Sequence, residues 1–366
     1  MIWLLMLIQN AVATFFGRFE RASGVLTFSY FGFLSGLADP RHNPDYELYK
    51  SSYDLGWQNF ERGYTLLTHL FSARGITYET FRLVFLVVFF LLLAFGVSLL
   101  TKHVAGIALF YGISSFALDS IQVRNLAATA FIVLAIAALV RIPNRFGKIA
   151  SIGLLIIGSE MHTISDIFLI VPLLAFIKVD FGKYWNKIVG LVYVVSLLMF
   201  SSVRIYFSNF IAYLLGIVSN RSNISQNILN VYTQGTSFKS WAIITMVALI
   251  MFSIFGNISK DTSLKDDVTT KVLTNILLVG VFSVLLMAIS VDYVRVLRIV
   301  SLFFFIFIFN VTERMLANTR IGRAWYILFL TLAYSGLLLY VQLRYVYVVQ
   351  DAFGYIVGFI DPNIIR

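Results

Sequence analysis

The sequence predicts an all-α protein that crosses a membrane many times, with about twelve transmembrane helices (a range of roughly 10 to 13). Composition is the first reason: 59% of the 366 residues are hydrophobic and 13% are charged, whereas a soluble domain is about half apolar and a quarter charged. The arrangement of the apolar residues is the second reason, because many of them form segments whose length is close to the roughly 20 residues that a helix needs to cross a bilayer. Residues 1–366 are expected to form a single integral membrane domain.

Polar and charged residues divide the apolar stretches into twelve predicted spans. Several of these spans are short for a full crossing, so some are expected to enter the membrane and return. In chain order they cover residues 1–17, 25–38, 80–100, 104–119, 123–140, 149–161, 164–178, 188–203, 241–258, 272–290, 296–312 and 324–342.

The basic residues between the spans predict the orientation, since Lys and Arg concentrate in cytoplasmic connections. With twelve spans, the basic-rich connections alternate and both termini face outward. Arg dominates the outer connections, whose only lysines are Lys50 and Lys239. Arg presents a planar fork of donors that suits phosphate and carboxylate. We therefore expect the outer face to bind an anionic ligand.

Two long connections are predicted on the outer face, 39–79 and 204–240. Residues 39–64 of the first are polar and strongly aromatic, which is unusual for a disordered loop, and they are expected to form one wall of an outer site. The second is rich in Asn, Ser and Gln. These side chains suit sugar hydroxyls and are equally ordinary in loops, so both interpretations stay open.

Ionisable residues at the ends of spans are costly in a membrane and therefore mark candidate functional sites. Arg124 opens the fifth predicted span and is followed by small residues that let another helix approach. The alternative is an interfacial Arg that extends to lipid headgroups. Its outer position, where orienting positive charge is not needed, favours a functional role.

Three ionisable residues, Glu160, His162 and Asp166, cluster at the predicted outer turn between the sixth and seventh spans. His162 and Asp166 are four residues apart, so a helix would place them on one face. A carboxylate beside an imidazole can fix its tautomer and raise its basicity, as a general base requires. The alternative is a polar hinge held by local hydrogen bonds.

A third charged group opens the eleventh predicted span, where Asp292, Arg295 and Arg298 recur at intervals of three residues. This spacing places them along one helical stripe. They could form a self-neutralising ion pair, or a two-Arg clamp for a diphosphate in which Asp292 orients one guanidinium. Arg204, at the start of the second long connection, is a further candidate for the diphosphate.

Several classes of function are excluded by what the sequence lacks. There is no cysteine and no HExxH-type pair among the four histidines, so neither a disulfide nor a metal site is expected. Short cytoplasmic connections and the lack of a Gly-rich phosphate loop exclude a nucleotide-binding domain. Basic residues are scattered rather than clustered, so a nucleic-acid partner is not expected.

Four short motifs in order resemble those of the EpsG-like polysaccharide polymerases, which are grouped with the Wzy polymerases of O-antigen and capsule. They are Asp45-Tyr46 with Tyr49 and Tyr53, Glu61-Arg62-Gly63-Tyr64, Arg124-Asn125-Leu126-Ala127 and Met161-His162-Thr163. The chain departs from the family pattern at Arg62 for Pro, Asn125 for Gln and Met161 for an aromatic residue.

This resemblance implies a GT-C-like membrane glycosyltransferase of the bacterial cytoplasmic membrane, with its active site outside and no metal or other cofactor. It implies transfer of a growing glycan from undecaprenyl diphosphate to the next lipid-linked repeat unit, with membrane lipid and a chain-length regulator as further partners. We accordingly expect His162 to be the base, supported by Asp166 or Glu160. Arg124, Arg295, Arg298 and Arg204 are expected to hold the diphosphate. Asp45, Tyr46, Tyr49, Glu61 and Tyr64 are expected to bind the acceptor sugar, and Asp45 or Glu61 could instead replace His162 as the base.

Three other functions compete with a polymerase. An O-antigen ligase shares the chemistry but uses another acceptor. A flippase or exporter of lipid-linked saccharide would show paired half-repeats and charges along a path through the membrane, and neither pattern is found. A membrane O-acyltransferase would use HxxxxD spacing, one residue longer than that between His162 and Asp166.

Overall fold

The computed structural model describes residues 2–38, 40, 43–142, 144–175, 180–218, 236–259 and 268–346, and these residues form helices without a single strand. The helices are α1 (Ile2–Phe16), α2 (Glu20–Leu37), α3 (Tyr46–Asp54), α4 (Arg62–Ser72), α5 (Tyr78–Leu100), α6 (Val104–Ser114), α7 (Phe116–Ile121), α8 (Val123–Arg141), α9 (Asn144–Ser159), α10 (Ile164–Phe168), α11 (Ile170–Leu174), α12 (Trp185–Leu197), α13 (Val203–Val218), α14 (Phe238–Ile258), α15 (Val268–Ile289), α16 (Val294–Ala317) and α17 (Ile321–Val341). Contacts divide them into two compact units, one ending at Asp166 and the next beginning at Ile167.

In the first unit, α2 packs closely on α5 because small residues line its contact face. Gly32 and Gly36 are four residues apart, and a Cβ added at either would lie 2.7 Å from a Cα of α5. Small residues at this spacing let helix backbones approach in a membrane. A buried hydrogen bond of 2.7 Å from Asn10 Nδ2 to Thr27 Oγ1 joins α1 to α2. These contacts build the scaffold against which α3 and α4 lie.

Two interruptions divide the segment that leads into α8. The predicted span 104–119 is not one helix, because the chain breaks at Ser115 between α6 and α7 and again at Gln122 before α8. A break exposes backbone groups that a continuous helix would pair, and side chains or backbone must satisfy them. Gln122 O still accepts from Leu126 N–H at 3.1 Å. The second break therefore places Arg124 in the first turn of α8.

In the second unit, α15 and α16 are mostly buried, whereas α17 leaves much of its surface exposed. Two indole N–H groups fasten neighbouring helices to one another. Trp185 donates to Phe252 O at 2.9 Å, and Trp241 donates to Val284 O at 3.1 Å. Buried Trp usually finds such an acceptor.

The described helices agree with a polytopic membrane protein. Six are long and apolar enough to cross a membrane, and a pair bent by 107°, residues 181–200 with 203–210, makes up to seven. Each of the twelve predicted spans coincides with a helix or a pair of helices. The number of crossings, the orientation and the GT-C-like arrangement stay predictions.

The first long connection is different from the irregular loop that its polar sequence suggested. Residues 39–79 contain α3 and α4 in addition to the start of α5. Helix α13 likewise occupies the first part of the second connection, 204–240, of which residues 219–235 lie outside the described residues. Buried residues recur every three or four positions in α3 and α4, as Tyr46 and Tyr49 and as Tyr64 and Thr68, so each helix has one buried face, which the overall polarity of the segment concealed.

Candidate active site

The first unit contains a buried ion pair between two of the predicted site residues, Glu61 and Arg124. Glu61 immediately precedes α4 and is 1% exposed, and Arg124 is 8% exposed. Arg124 Nη1 donates to Glu61 Oε2, and Thr163 N–H donates to Glu61 Oε1 at 3.3 Å. The carboxylate is thereby held from two chain segments distant in sequence. A buried charge needs such a partner, because removing one ion from water costs several kcal/mol.

Aromatic side chains surround the guanidinium of Arg124. It lies 4.1 Å from the ring centroid of Phe60 and 6.0 Å from that of Tyr64, and Nε donates to Tyr49 Oη at 3.3 Å. Cation–π contacts of this kind contribute about 2 kcal/mol when they are desolvated. Nη2 makes no hydrogen bond within the described part of the chain. The side chain is therefore fixed, with donors left for a ligand.

The turn at residues 160–163 packs directly on the start of α4. Tyr64 N–H donates to Glu160 O at 3.0 Å. A Cβ added at Gly63 would lie 2.8 Å from Glu160 Cβ and 2.9 Å from its carbonyl oxygen. Only a glycine permits so close an approach without a shift of the backbone. Gly63 thus brings the turn that carries His162 next to Glu61.

His162 and Asp166 do not have the helical relationship predicted for them. Because α10 begins at Ile164, His162 precedes the helix, and its Nδ1 accepts a hydrogen bond from Ile164 N–H at 3.1 Å. A neutral imidazole that accepts at Nδ1 carries its proton on Nε2. Asp166 Oδ2 is buried without a hydrogen-bond partner, and the charges of Glu61 and Glu160 act on this carboxylate.

The predicted sugar-binding tyrosines lie in the protein interior. Tyr46, Tyr49 and Tyr64 are at most 5% exposed, so the protein covers their rings in this structure, and their role in binding the acceptor sugar stays a prediction. Burial and a hydrogen bond to Glu79 raise the pKa of Tyr46 to about 12. Asp45 is half-buried at the start of α3.

In this part of the chain, Trp57 has the exposure that sugar stacking requires, at 40%. Of the buried tyrosines, Tyr49 helps to hold the ion pair, because its Oη accepts a hydrogen bond from Arg124 Nε. Burial raises the pKa of the Tyr64 phenol, so this side chain stays neutral beside the pair.

In the second unit the charged stripe forms in part as predicted. Arg295 Nη2 lies 3.3 Å from Asp292 Oδ1, and both side chains are partly exposed. Arg298 is buried at 1% exposure, with Nη1 donating to Gln342 Oε1 at 3.3 Å. Arg204 lies in the first turn of α13 and is half-buried. Arg295 is accordingly the more accessible member of the predicted two-Arg clamp.

No group of three or more His, Asp or Glu side chains in the described ranges is arranged to hold a metal ion.

The family comparison decides the wider class, because the model of the EpsG family matches residues 24–356. The chain belongs to the EpsG family. No significant match was found among curated proteins or among solved structures. EpsG membership and the apolar helices indicate a multi-pass membrane protein of polysaccharide biosynthesis, of the glycosyltransferase-like polymerase type.

The segments of this EpsG chain that resemble family motifs meet around the ion pair. Tyr49, Glu61, Arg124 and Thr163 come from four different segments and are joined by hydrogen bonds. Their convergence shows that motifs separated by more than a hundred residues in the sequence contribute to one cluster in the folded chain. The sequence alone showed the order without showing the contacts.

Two buried charged residues near this site were missed by the sequence analysis. Asp119 is 2% exposed and accepts from Tyr111 Oη at 2.8 Å and from Asn125 Nδ2 at 3.0 Å. Arg82 is 3% exposed in the second turn of α5. The signal for both was present, because each is a charged residue inside or at the end of a predicted apolar span.

Proposed function

We propose that this EpsG-family protein polymerises undecaprenyl-diphosphate-linked oligosaccharide repeat units into O-antigen, capsular polysaccharide or exopolysaccharide. Transfer would take place at the outer face of the bacterial cytoplasmic membrane, with both termini outside and a GT-C-like arrangement of helices. The observation that carries the proposal is the buried Glu61–Arg124 pair, whose guanidinium keeps Nη2 available. A fixed cation of this kind suits a phosphate oxygen that gains charge during the reaction.

In the proposed reaction, the hydroxyl of the acceptor repeat unit attacks the anomeric carbon of the growing glycan. The bond from that carbon to the diphosphate oxygen breaks, and the electron pair leaves with undecaprenyl diphosphate. Arg124 stabilises the charge on the departing group, and Arg295, Arg298 and Arg204 are further candidates for this role. Such preorganised donors act without reorganisation cost as charge develops.

The acceptor hydroxyl loses its proton to a base at the 160–166 turn. Asp166 is favoured, because one of its oxygens has no hydrogen bond, whereas Nδ1 of His162 already accepts one. His162 stays a candidate for binding the acceptor beside Asp166. Glu160 and Asp45 are the remaining carboxylates that could bind the acceptor, and Glu61 is occupied by Arg124.

The proposal is tested by deleting the gene and restoring variants at matched protein level. Loss of a polymerase leaves a single repeat unit on the acceptor, loss of a ligase leaves none, and loss of a flippase stops lipid-linked units from reaching the outer face. Arg124→Ala and Asp166→Ala are expected to abolish the polysaccharide ladder. Arg74→Ala, at an exposed position of the same unit, is the control. Full-length ladders from Arg124→Ala and Asp166→Ala would show the site assignment to be wrong.

A further inference from the structure

Arg82 is a buried cation whose hydrogen-bonding capacity is mostly unused. A guanidinium has five N–H donors, yet the hydrogen bond found for Arg82 in the described part of the chain runs from Nη1 to Ala38 O at 3.3 Å. Both Nε and Nη2 are buried without a partner. Leaving buried donors of a charged group unsatisfied is costly, more so than for neutral groups.

The contrast with Arg124 shows what Arg82 lacks. Both arginines are buried in the first unit and both lie against aromatic rings, since the Arg82 guanidinium is 5.3 Å from the Tyr46 ring centroid. Arg124 is neutralised by an ion pair with Glu61. No carboxylate within the described ranges makes an ion pair with Arg82. Arg124 therefore has a counter-ion in the described part of the chain, and Arg82 has none.

The nearest acid along α5 does not supply the missing partner. Glu79, one turn before Arg82, accepts from Tyr46 Oη at 2.9 Å and pairs with Lys50 at 3.2 Å. Its carboxylate is thus directed to two other donors. Glu79 is also exposed, and side chains three residues apart on a helix are neighbours. The guanidinium of Arg82 accordingly lies within one helical turn of the protein surface.

We propose that Arg82 binds the diphosphate of the lipid-linked substrate, supplying a second cation in addition to Arg124. A phosphate oxyanion fits the free donors, because Nε and one Nη nitrogen form the fork that pairs two oxygens at once. This inference rests on the proposed function, which supplies the diphosphate.

The test measures binding of farnesyl diphosphate, a short isoprenyl diphosphate, to the purified full chain in phosphatidylcholine nanodiscs. Arg82→Met is expected to lower the affinity for farnesyl diphosphate at least ~10-fold, because the variant loses the hydrogen bonds from the guanidinium to the charged diphosphate. Arg74→Met is expected to bind like the wild type, because Arg74 is exposed and donates to its own helix. Farnesol is expected to show no dependence on Arg82.

Stability separates a binding role from a structural one. Without ligand, Arg82→Met is expected to unfold at the same temperature as the wild type or higher, because it removes an uncompensated buried charge. Arg82→Lys retains the charge without the fork and is expected to bind with intermediate affinity, which gives a second measurement if the Met variant does not fold.

Three outcomes would overturn the inference: wild-type affinity in Arg82→Met, equal losses in the Arg82 and Arg74 variants, or Arg82-dependent retention of phosphatidylglycerol alone. The last would identify a phospholipid headgroup as the ligand. Failure of the proposed function looks different. If Arg82-dependent binding is found but deletion of the gene leaves the polymer unchanged, the diphosphate site remains and the polymerase assignment is wrong.

Discussion

The Glu61→Gln variant tests whether the buried ion pair organises the site. The carboxylate accepts from Arg124 through one oxygen and from Thr163 N–H through the other. An amide has one oxygen and one NH₂ group, so in either orientation a donor of the Gln side chain faces another donor. Arg124 also becomes a buried cation without a counter-ion. Removing one partner of a buried pair costs about 3–5 kcal/mol, and we expect a loss of stability of that size.

The assay is unfolding by titration with SDS, followed by the fluorescence of the tryptophans. Asp54→Asn is the matched control, because the Lys50–Asp54 pair is exposed and such pairs contribute below about 1 kcal/mol. Arg124→Met is expected to be destabilised like Glu61→Gln, and the double variant is expected to lose at least about 1 kcal/mol less than the sum of the two. Additive losses, or a Glu61→Gln protein as stable as the wild type, would refute the reasoning.

Three further predictions concern neighbouring features. Gly63→Ala is expected to push α4 off the 160–163 turn and abolish polymer formation at normal protein level, whereas Gly153→Ala, with open space around it, is expected to leave the ladder intact; an intact ladder from both would contradict the close packing. Asp119→Leu is expected to cost about 2–6 kcal/mol in SDS unfolding, because two buried donors lose their acceptor, whereas Tyr111→Phe is expected to cost about 1 kcal/mol; equal losses would be inconsistent with the network. Tyr46→Phe is expected to remove a component near pH 12 from the absorbance titration of tyrosinate. Because the pKa of Tyr46 is raised in the folded protein, the contribution of its phenol to stability is complete below about pH 10 and is lost as the pH rises through about 12. If Tyr46→Phe instead removes a component that titrates near pH 10, the phenol is unperturbed and the reasoning is wrong.

The long helices could be predicted from the sequence because a helix that crosses a membrane needs a long apolar segment, and such a segment is visible in the local composition. Each long apolar segment coincides with a helix, including α5 and α14. Short helices were less predictable. Helices α3 and α4 have a polar average composition, and the division of 104–119 at Ser115 depends on how neighbouring helices pack rather than on a Pro or Gly at the break.

The site residues could be selected from the sequence, but their contacts could not. Glu61 and Arg124 were chosen for different ligands, and their ion pair across 63 positions depends on tertiary packing. The burial of the tyrosines was equally hard to see in the sequence. Aromatic residues in a polar segment resemble a sugar-binding surface, yet Tyr46 and Tyr49 are three residues apart, so they lie on the same, buried face of α3.

The distance in sequence between Glu61 and its partners has a consequence for synthesis in the cell. Ribosomes add about 5–20 residues per second, so Arg124, 63 positions later, follows Glu61 by roughly 3–13 seconds. Thr163 N–H, 102 positions after Glu61, arrives later still. During this interval the nascent chain carries a carboxylate that has not met its cation. The segment around Glu61 is therefore made seconds before the cation that neutralises it, and during that time its carboxylate is more stable in water than in an apolar environment.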